Sequence, residues 1–260
     1  MDPGQKLLTL EHQDIPGYMP AMIMPFPVKD DRLLKVAAPG DEVTAALVVS
    51  RDNRYWLEDL VVTRRAPEGA RAPARPAPRE PKPGAPVPDV ALVNQDGKSI
   101  RLADYRGRVL ALTFIYTRCP LPEFCPLVSR NFEAASEALA AEPALQARTH
   151  LLSISFDPEH DTPEVLRRYG RRFVGDGSRP FAHWEFASGP DAEIRKLGDF
   201  VGLDYDPGQG MWVHNLRTAV VGPDGTLVRS IRGSDWKPEE LVAYLRGAAA
   251  ATRGSKSRRP

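Results

Sequence analysis

"RVLALTFIYTRCPLPEFCPL" (residues 108–127) joins an almost continuous apolar run to two cysteines set among three prolines. A run such as Val109–Ile115, with hardly any polar alternation, suits a strand buried on both faces of a parallel sheet. The strand must end near Cys119, and Cys125 falls where the next helix should begin. The carboxyl end of a central parallel strand is where α/β folds assemble their sites. A helix N-terminus there favours thiolate and lowers a cysteine's pKa. Pro120, Pro122 and Pro126 stiffen the turn, and the five intervening residues form a loop in which two sulfurs could approach each other or share an ion. These are the only cysteines, so a disulfide framework is excluded. The plain alternative is a pair of buried core thiols, which the proline-flanked junction argues against.

Working outward, Leu127, Phe132, Ala135 and Leu139 follow Cys125 at helical spacing, and "THLLSISF" (149–156) is a second buried strand. "DTPEVLRRYG" (161–170) opens a helix with Asp161 or Thr162 as cap and a proline in the first turn. "TAVVGPDGTLVRSI" (218–231) turns around Asp224-Gly225 as a hairpin, and "KPEELVAYLRGAAA" (237–250) closes with an amphipathic helix. This β-α-β-α-β-β-α order predicts an α/β thioredoxin-like domain over 87–250. Residues 251–260, ending "RGSKSRRP", read as a disordered tail.

Upstream, "APEGARAPARPAPREPKPGAP" (66–86) carries seven prolines and cannot bury apolar area, so 65–86 reads as an extended linker. Residues 1–64 hold four short β-type segments, "KLLTLEH", "MIMPFPV", "EVTAALVVS" and "YWLEDLVV". They predict a small all-β barrel of the OB type that lacks its first strand. Charge is balanced at 35 basic against 34 acidic residues, which removes the electrostatic footprint of a nucleic-acid binder. No apolar run reaches the length of a transmembrane helix, and "MDPGQKLLTL" has no signal-peptide core.

Three stretches, "FIYTRCPLPEFCPL", "SISFDPEHDTPEVLRRYG" and "VHNLRTAVVGPDGTLVR", resemble the Sco (SenC) family of copper-binding thioredoxin-like proteins in order and approximate spacing. The resemblance spans roughly 85–250. It implies a copper metallochaperone that helps build the binuclear copper centre of cytochrome c oxidase, with copper held by Cys119, Cys125 and His214 and with thiol–disulfide exchange as a second capability. Two thiolates and an imidazole suit Cu(I), and such a set also holds Cu(II). The family pattern separates its cysteines by three residues rather than five, which should change the bite at a metal. His214 is singled out of five histidines by this motif; His12, His150, His160 and His183 lie elsewhere. Met211 reads as packing beside Trp212. Asp157, Pro158, Asp161 and Thr162 also match a family motif and read as capping and turn chemistry.

"GYMPAMIMPF" (17–26) gathers Met19, Met22 and Met24 from a chain with five methionines. Met22 and Met24 alternate and so share one face of a strand. Thioethers with an imidazole favour Cu(I), whereas the bland alternative is ordinary core filling. "HQDIPGYMPAMIMPF", "PGDEV" and "WLEDLVV" resemble the CusF-like periplasmic copper-binding domains over residues 5–63. That resemblance implies Met22 and Met24 as thioether ligands and His12 as the imidazole. Met19 stands where some members carry a copper-capping aromatic, which makes it a candidate third thioether; Trp56 reads as core or barrel surface.

Together these readings predict a two-module chaperone in the periplasm or on the outer face of the cytoplasmic membrane, with an export or anchor segment and one strand upstream of Met1. Its expected partner is the copper-bearing subunit of cytochrome c oxidase or another copper protein, served by a thioredoxin-like reductant. Two rivals stand beside it: an enzyme, a thiol–disulfide oxidoreductase that needs the cysteines but not His214, and a copper-resistance buffer. A missing Cys-x-x-Cys weighs against ordinary thioredoxin chemistry, and Tyr116 occupies the position where a peroxidase would carry threonine.

Overall fold

The computed structural model describes residues 6–13, 15–16, 18, 22–50, 55–67, 81–175, 180–207, 212–234 and 236–256, with side chains omitted at 22–25, 207, 213 and 252–256. The chain divides into two units, Met1–Ala77 with Asp206–His214, and Pro78–Tyr205 with Asn215–Pro260.

In the first unit, β1 (Leu7–His12) pairs antiparallel with β2 (Met22–Pro27). A short helix, α1 (Leu33–Val36), leads to β3 (Glu42–Val49), which pairs antiparallel with β4 (Tyr55–Arg64). All four strands fall on the segments that the β-type alternation marks. Among the described residues they form two two-stranded sheets, not a closed barrel. A Val28–Leu57 bridge joins the sheets, and Leu8, Phe26, Val28, Leu57 and Leu60 are buried as one small core. Trp56 lies under the Lys29 ammonium, 3.3 Å from the ring centroid, and donates its indole N–H to Glu58. Its ring therefore serves a surface cation–π contact.

The second unit opens with β5 (Ala91–Asn94) and β6 (Ser99–Arg101), followed by β7 (Val109–Ile115), α2 (Cys125–Ala140), α3 (Pro143–Gln146), β8 (Thr149–Ser155) and α4 (Pro163–Val174). Then come β9 (Trp184–Ser188), α5 (Asp191–Val201), a ribbon of β10 (Tyr205–Pro207) and β11 (Trp212–His214), β12 (Arg217–Val221), β13 (Leu227–Arg232) and α6 (Pro238–Lys256). The seven-stranded sheet runs β13-β12-β7-β8-β9-β5-β6, with β7, β8 and β9 parallel. Every residue of β7 and β8 is buried, as the apolar runs require. Two additions were not legible in the periodicity. The β9–α5 pair extends the sheet beyond β8, and the β5–β6 hairpin closes that edge. α2 buries Cys125, Val128, Ser129, Phe132, Ala135 and Leu139, so its inward stripe uses Val128 and Ser129 in place of Leu127. α6 continues through an alanine-rich run to Lys256, as the high helix propensity of alanine favours. Most of the linker, 68–80, lies outside the described residues. Among the described residues no helix is long and apolar enough to cross a membrane.

At the amino end of β8, His150 and Glu185 form a buried polar pair at 2.9 Å. The Glu185 carboxylate also accepts from Asn94 at 2.6 Å and from the Tyr105 hydroxyl at 2.7 Å. Arg108 donates to His150 Nδ1 at 3.2 Å, so the ring proton sits on Nε2 and faces Glu185. Burial opposes ionisation of Glu185, but the three donors prevail and hold its pKa down at about 2. Burial pushes His150 below its ordinary value, against the pull of Glu185, and the pair is a neutral imidazole against a carboxylate. Both groups bind protons more readily in the unfolded chain, so stability is lost as pH falls, first below 6.5 and then from 4.5 toward about 2. Glu185→Gln should flatten the acid limb of urea midpoints measured from neutral pH downward. Gly170 packs where an added Cβ would stand 2.7 Å from the Phe186 ring and 2.8 Å from that of Phe181. Gly170→Ala should therefore cost about 1–3 kcal/mol in denaturant unfolding.

Candidate metal centre

Cys119, Cys125 and His214 converge: one ligand atom from each, the two Sγ and a ring nitrogen, lie within 4.8 Å of one another. Each reaches this point by a different device. β7 delivers the chain to Tyr116, and a turn closed by Cys119 N–H to Tyr116 C=O at 3.2 Å presents Cys119 half-buried. Cys125 is the first residue of α2 and is fully buried, because the Val128–Phe132 stripe draws the helix onto the sheet. His214 is the last residue of β11 and is 8 % exposed. The next residue, Asn215, closes the foot of the ribbon: its N–H donates to Asp204 C=O, its Oδ1 accepts from Asp204 N–H and its Nδ2 donates to Gly202 C=O, each at 3.0 Å. Two residues further on, the buried Arg217 donates to the same Gly202 carbonyl at 2.7 Å.

Both cysteines are thiols, not a disulfide. The expectation that the helix N-terminus would depress the Cys125 pKa is overturned. Complete burial pushes this thiol well above its ordinary value, the adjoining Cys119 adds to the rise, and backbone hydrogen bonds only partly oppose it. Burial first, and then the two sulfurs, likewise keep the Tyr116 hydroxyl protonated while it hydrogen-bonds to Cys119. The Tyr169 hydroxyl, 2.8 Å from Ser129 Oγ, is held protonated chiefly by burial. A cation would relieve this crowding of acidic sulfur groups, since metal binding displaces thiol protons.

Sequence reasoning placed Asp157 and Asp161 in capping roles, but Thr162 alone caps α4, accepting from Val165 N–H at 3.4 Å. The two aspartates are almost fully buried and bond to Thr117 and Arg118, the residues leading into Cys119. Their only signal was the Asp-Pro-x-x-Asp-Thr-Pro spacing, which carries no hint of a partner forty residues upstream.

In the first unit, Met19 lies outside the described residues, and Met22 and Met24 are described by backbone alone. Their register is informative: His12 pairs across the ladder with Met22, and Leu10 with Met24, so His12, Met22 and Met24 belong to one face of the β1–β2 hairpin. His12 Nδ1 donates to the Gln13 carbonyl at 2.6 Å, which leaves the lone pair on Nε2. That nitrogen is buried with no hydrogen-bond partner, the condition of an imidazole ready for a metal.

Residues 80–250 match the SCO1/SenC family model. The chain belongs to the SCO1/SenC family. Residues 1–60 match the model of the copper binding periplasmic protein CusF. The SCO1 protein homolog of Bacillus subtilis is 27 % identical over 161 residues, covering 60 % of this chain and 79 % of that protein. A solved structure of BsSco, described as a member of the Sco family of cytochrome c oxidase assembly proteins with a disulfide switch, is 26 % identical with a TM-score of 0.55, covering 65 % of this chain and 97 % of that one. ScoI of Bradyrhizobium japonicum, solved with copper bound, is 25 % identical with a TM-score of 0.51, covering 63 % and 99 %. These likenesses establish the thioredoxin-like Sco fold for the second unit. The two-sulfur, one-nitrogen donor set fits copper, a soft-ligand metal, and supports it as the cargo. In the metal-free Sco unit, a maleimide should modify half-exposed Cys119 first, and Cys125 only on unfolding, as peptide mass mapping would report.

Proposed function

We propose that this chain is an extracytoplasmic copper metallochaperone that delivers copper to the copper-bearing subunit of cytochrome c oxidase. The observation that carries the reading is the convergence of Cys119, Cys125 and His214 within 4.8 Å in a Sco-family fold. Copper held by two thiolates and an imidazole is the cargo. Cys125 and His214 grip it from the buried side, and Cys119, half-exposed, forms the face at which an acceptor's ligands enter. Loading releases thiol protons, so affinity rises with pH. Handing on copper is a ligand exchange that begins at Cys119 and needs no change in the copper's charge.

The CusF-like segment supplies a second copper site, with His12 Nε2 as the nitrogen ligand and Met22 and Met24 as thioethers on the same hairpin face. Met19 is the further candidate in that set. Residence in the periplasm, or on the outer face of the cytoplasmic membrane, follows from the same family likeness.

The rival thiol–disulfide reading draws on the closeness of the two sulfurs and on the disulfide switch described for BsSco. It uses Cys119 and Cys125 and leaves His214 idle. Anaerobic chelator competition on the reduced full chain separates the readings. The chaperone reading expects two Cu(I) per chain, one lost in Cys119→Ser/Cys125→Ser and the other in His12→Ala. It also expects His214→Ala to weaken the cysteine site by at least about tenfold, or 1.4 kcal/mol. Unchanged copper retention and oxidase assembly in His214→Ala would transfer the function to the thiol pair alone.

A further inference from the structure

Of the three converging ligands, Cys125 rides on a helix and His214 on a strand whose foot is tied by Asn215. Cys119 stands on a loop, and the five residues that follow give that loop wide freedom. Something must fix it. The Asp161 carboxylate, 1 % exposed, lies where the ends of β7 and β8 meet. Its Oδ2 accepts from Thr117 N–H at 2.9 Å and from the Ser155 hydroxyl, and its Oδ1 accepts from the Thr117 hydroxyl at 2.5 Å. Asp157, 3 % exposed, takes the next residue: its Oδ2 accepts from Arg118 Nη2 at 2.6 Å and Nε at 3.1 Å. The two aspartates are braced against each other. Asp161 N–H donates to Asp157 C=O at 2.8 Å, and Ser155 Oγ, which donates to Asp161, accepts from Asp157 N–H at 3.1 Å.

We propose that Asp161, assisted by Asp157, is a positioning residue that holds Thr117-Arg118 and thereby sets Cys119 opposite Cys125 and His214. The inference rests on the copper reading for its metal arm, but its thiol arm stands without copper. The alternatives for these aspartates are met by other groups or by geometry. Thr162 caps α4. A purely structural carboxylate would have no reason to spend its acceptor sites on Thr117, two residues from a ligand, when the β7–β8 ladder already ends at Phe156 N–H to Ile115 C=O, 3.1 Å. The Thr117 amide donates sideways to Asp161, outside that ladder, and this bond fixes the direction in which the chain leaves the sheet.

Asp161→Asn keeps the size and one acceptor oxygen, so the fold survives while the two-oxygen grip is lost. Thr117→Val removes only the hydroxyl contact and grades the effect. Two equilibria are read in the full chain. The first is Cu(I) affinity by chelator competition, with the sulfur-to-copper charge-transfer band of the Cu(II) form. The second, free of metal, is exchange with glutathione disulfide, in which the Cys119 and Cys125 thiols close to a disulfide and glutathione disulfide is reduced to two glutathiones. Apo-protein thermal unfolding accompanies both. We expect Asp161→Asn to weaken copper about tenfold and to shift the band, the range seen when groups that orient metal ligands are removed. The exchange constant should fall by a similar factor, because Cys119 meets Cys125 less often, and Thr117→Val should lie between. Wild-type copper affinity, band and exchange constant in Asp161→Asn, whatever its unfolding temperature, would overturn the proposal. A wild-type chain with no copper at its cysteines, but a lowered exchange constant in Asp161→Asn, would uphold the positioning role and overturn the copper reading.

Discussion

Strands β7 and β8 run parallel from the Val109–Thr149 pair to the Ile115–Ser155 pair, and the ladder's last bond joins Phe156 to Ile115. Both strands are buried on both faces, so neither can slip in register without exposing its apolar residues. Their carboxyl ends are consequently level. The chain leaving β7 carries Cys119, and the chain leaving β8 carries Asp157 and Asp161, so the cysteine loop and the carboxylates that grip it are neighbours by construction. On the other side of β7, β12 pairs antiparallel and begins just after His214, which brings the imidazole to the same end of the sheet. One ladder thus fixes the meeting point of four segments that are far apart in the sequence.

The two ends of this sheet treat charge in opposite ways. At the amino end of β8, Asn94, Tyr105 and His150 surround Glu185 with donors and keep it ionised although buried. At the carboxyl end, Cys125 sits beside another acidic thiol under complete burial, and its proton is retained. The first arrangement is satisfied by the protein alone. The second is relieved by a metal ion or by disulfide formation, and that unfulfilled demand makes it the chemical end of the domain.

Much of this was legible from residue order. The unbroken apolarity of Val109–Ile115 announced a doubly buried strand, and the alternation before the linker placed all four strands of the first unit. The Cys-Cys-His trio came from motif resemblance, since nothing local in "VHN" distinguishes His214 from His150. What escaped is instructive. β9 and α5 carry less regular patterns, because α5 is short and β9 is flanked by residues that serve the buried polar pair. The helix terminus suggested a depressed Cys125 pKa, but a local dipole cannot outweigh desolvation that arises only once the sheet, α2 and α4 close over the sulfur. Asp161 was misread as a cap because a neighbouring threonine supplies the same chemistry, and its real partner lies on another strand. A closed barrel was expected of the first unit; the hairpins are there, but the described residues show two sheets sharing a core.

The far end of the proline tether is more than a spacer. Gly84 N–H donates to Leu227 C=O at 2.7 Å, Leu227 N–H donates to Ala85 C=O at 2.8 Å, and Pro86 bridges Thr226. These residues occupy the outer edge of β13, the last strand on that side of the sheet. An edge strand left bare offers its amides and carbonyls to any other extended chain, and prolines laid along it prevent that addition. The segment is therefore a built-in guard against edge-to-edge association. A fragment cut at residue 87 to isolate the copper-binding domain would remove the guard along with the tether, whereas one that begins upstream of Gly84 would keep the sheet's edge closed.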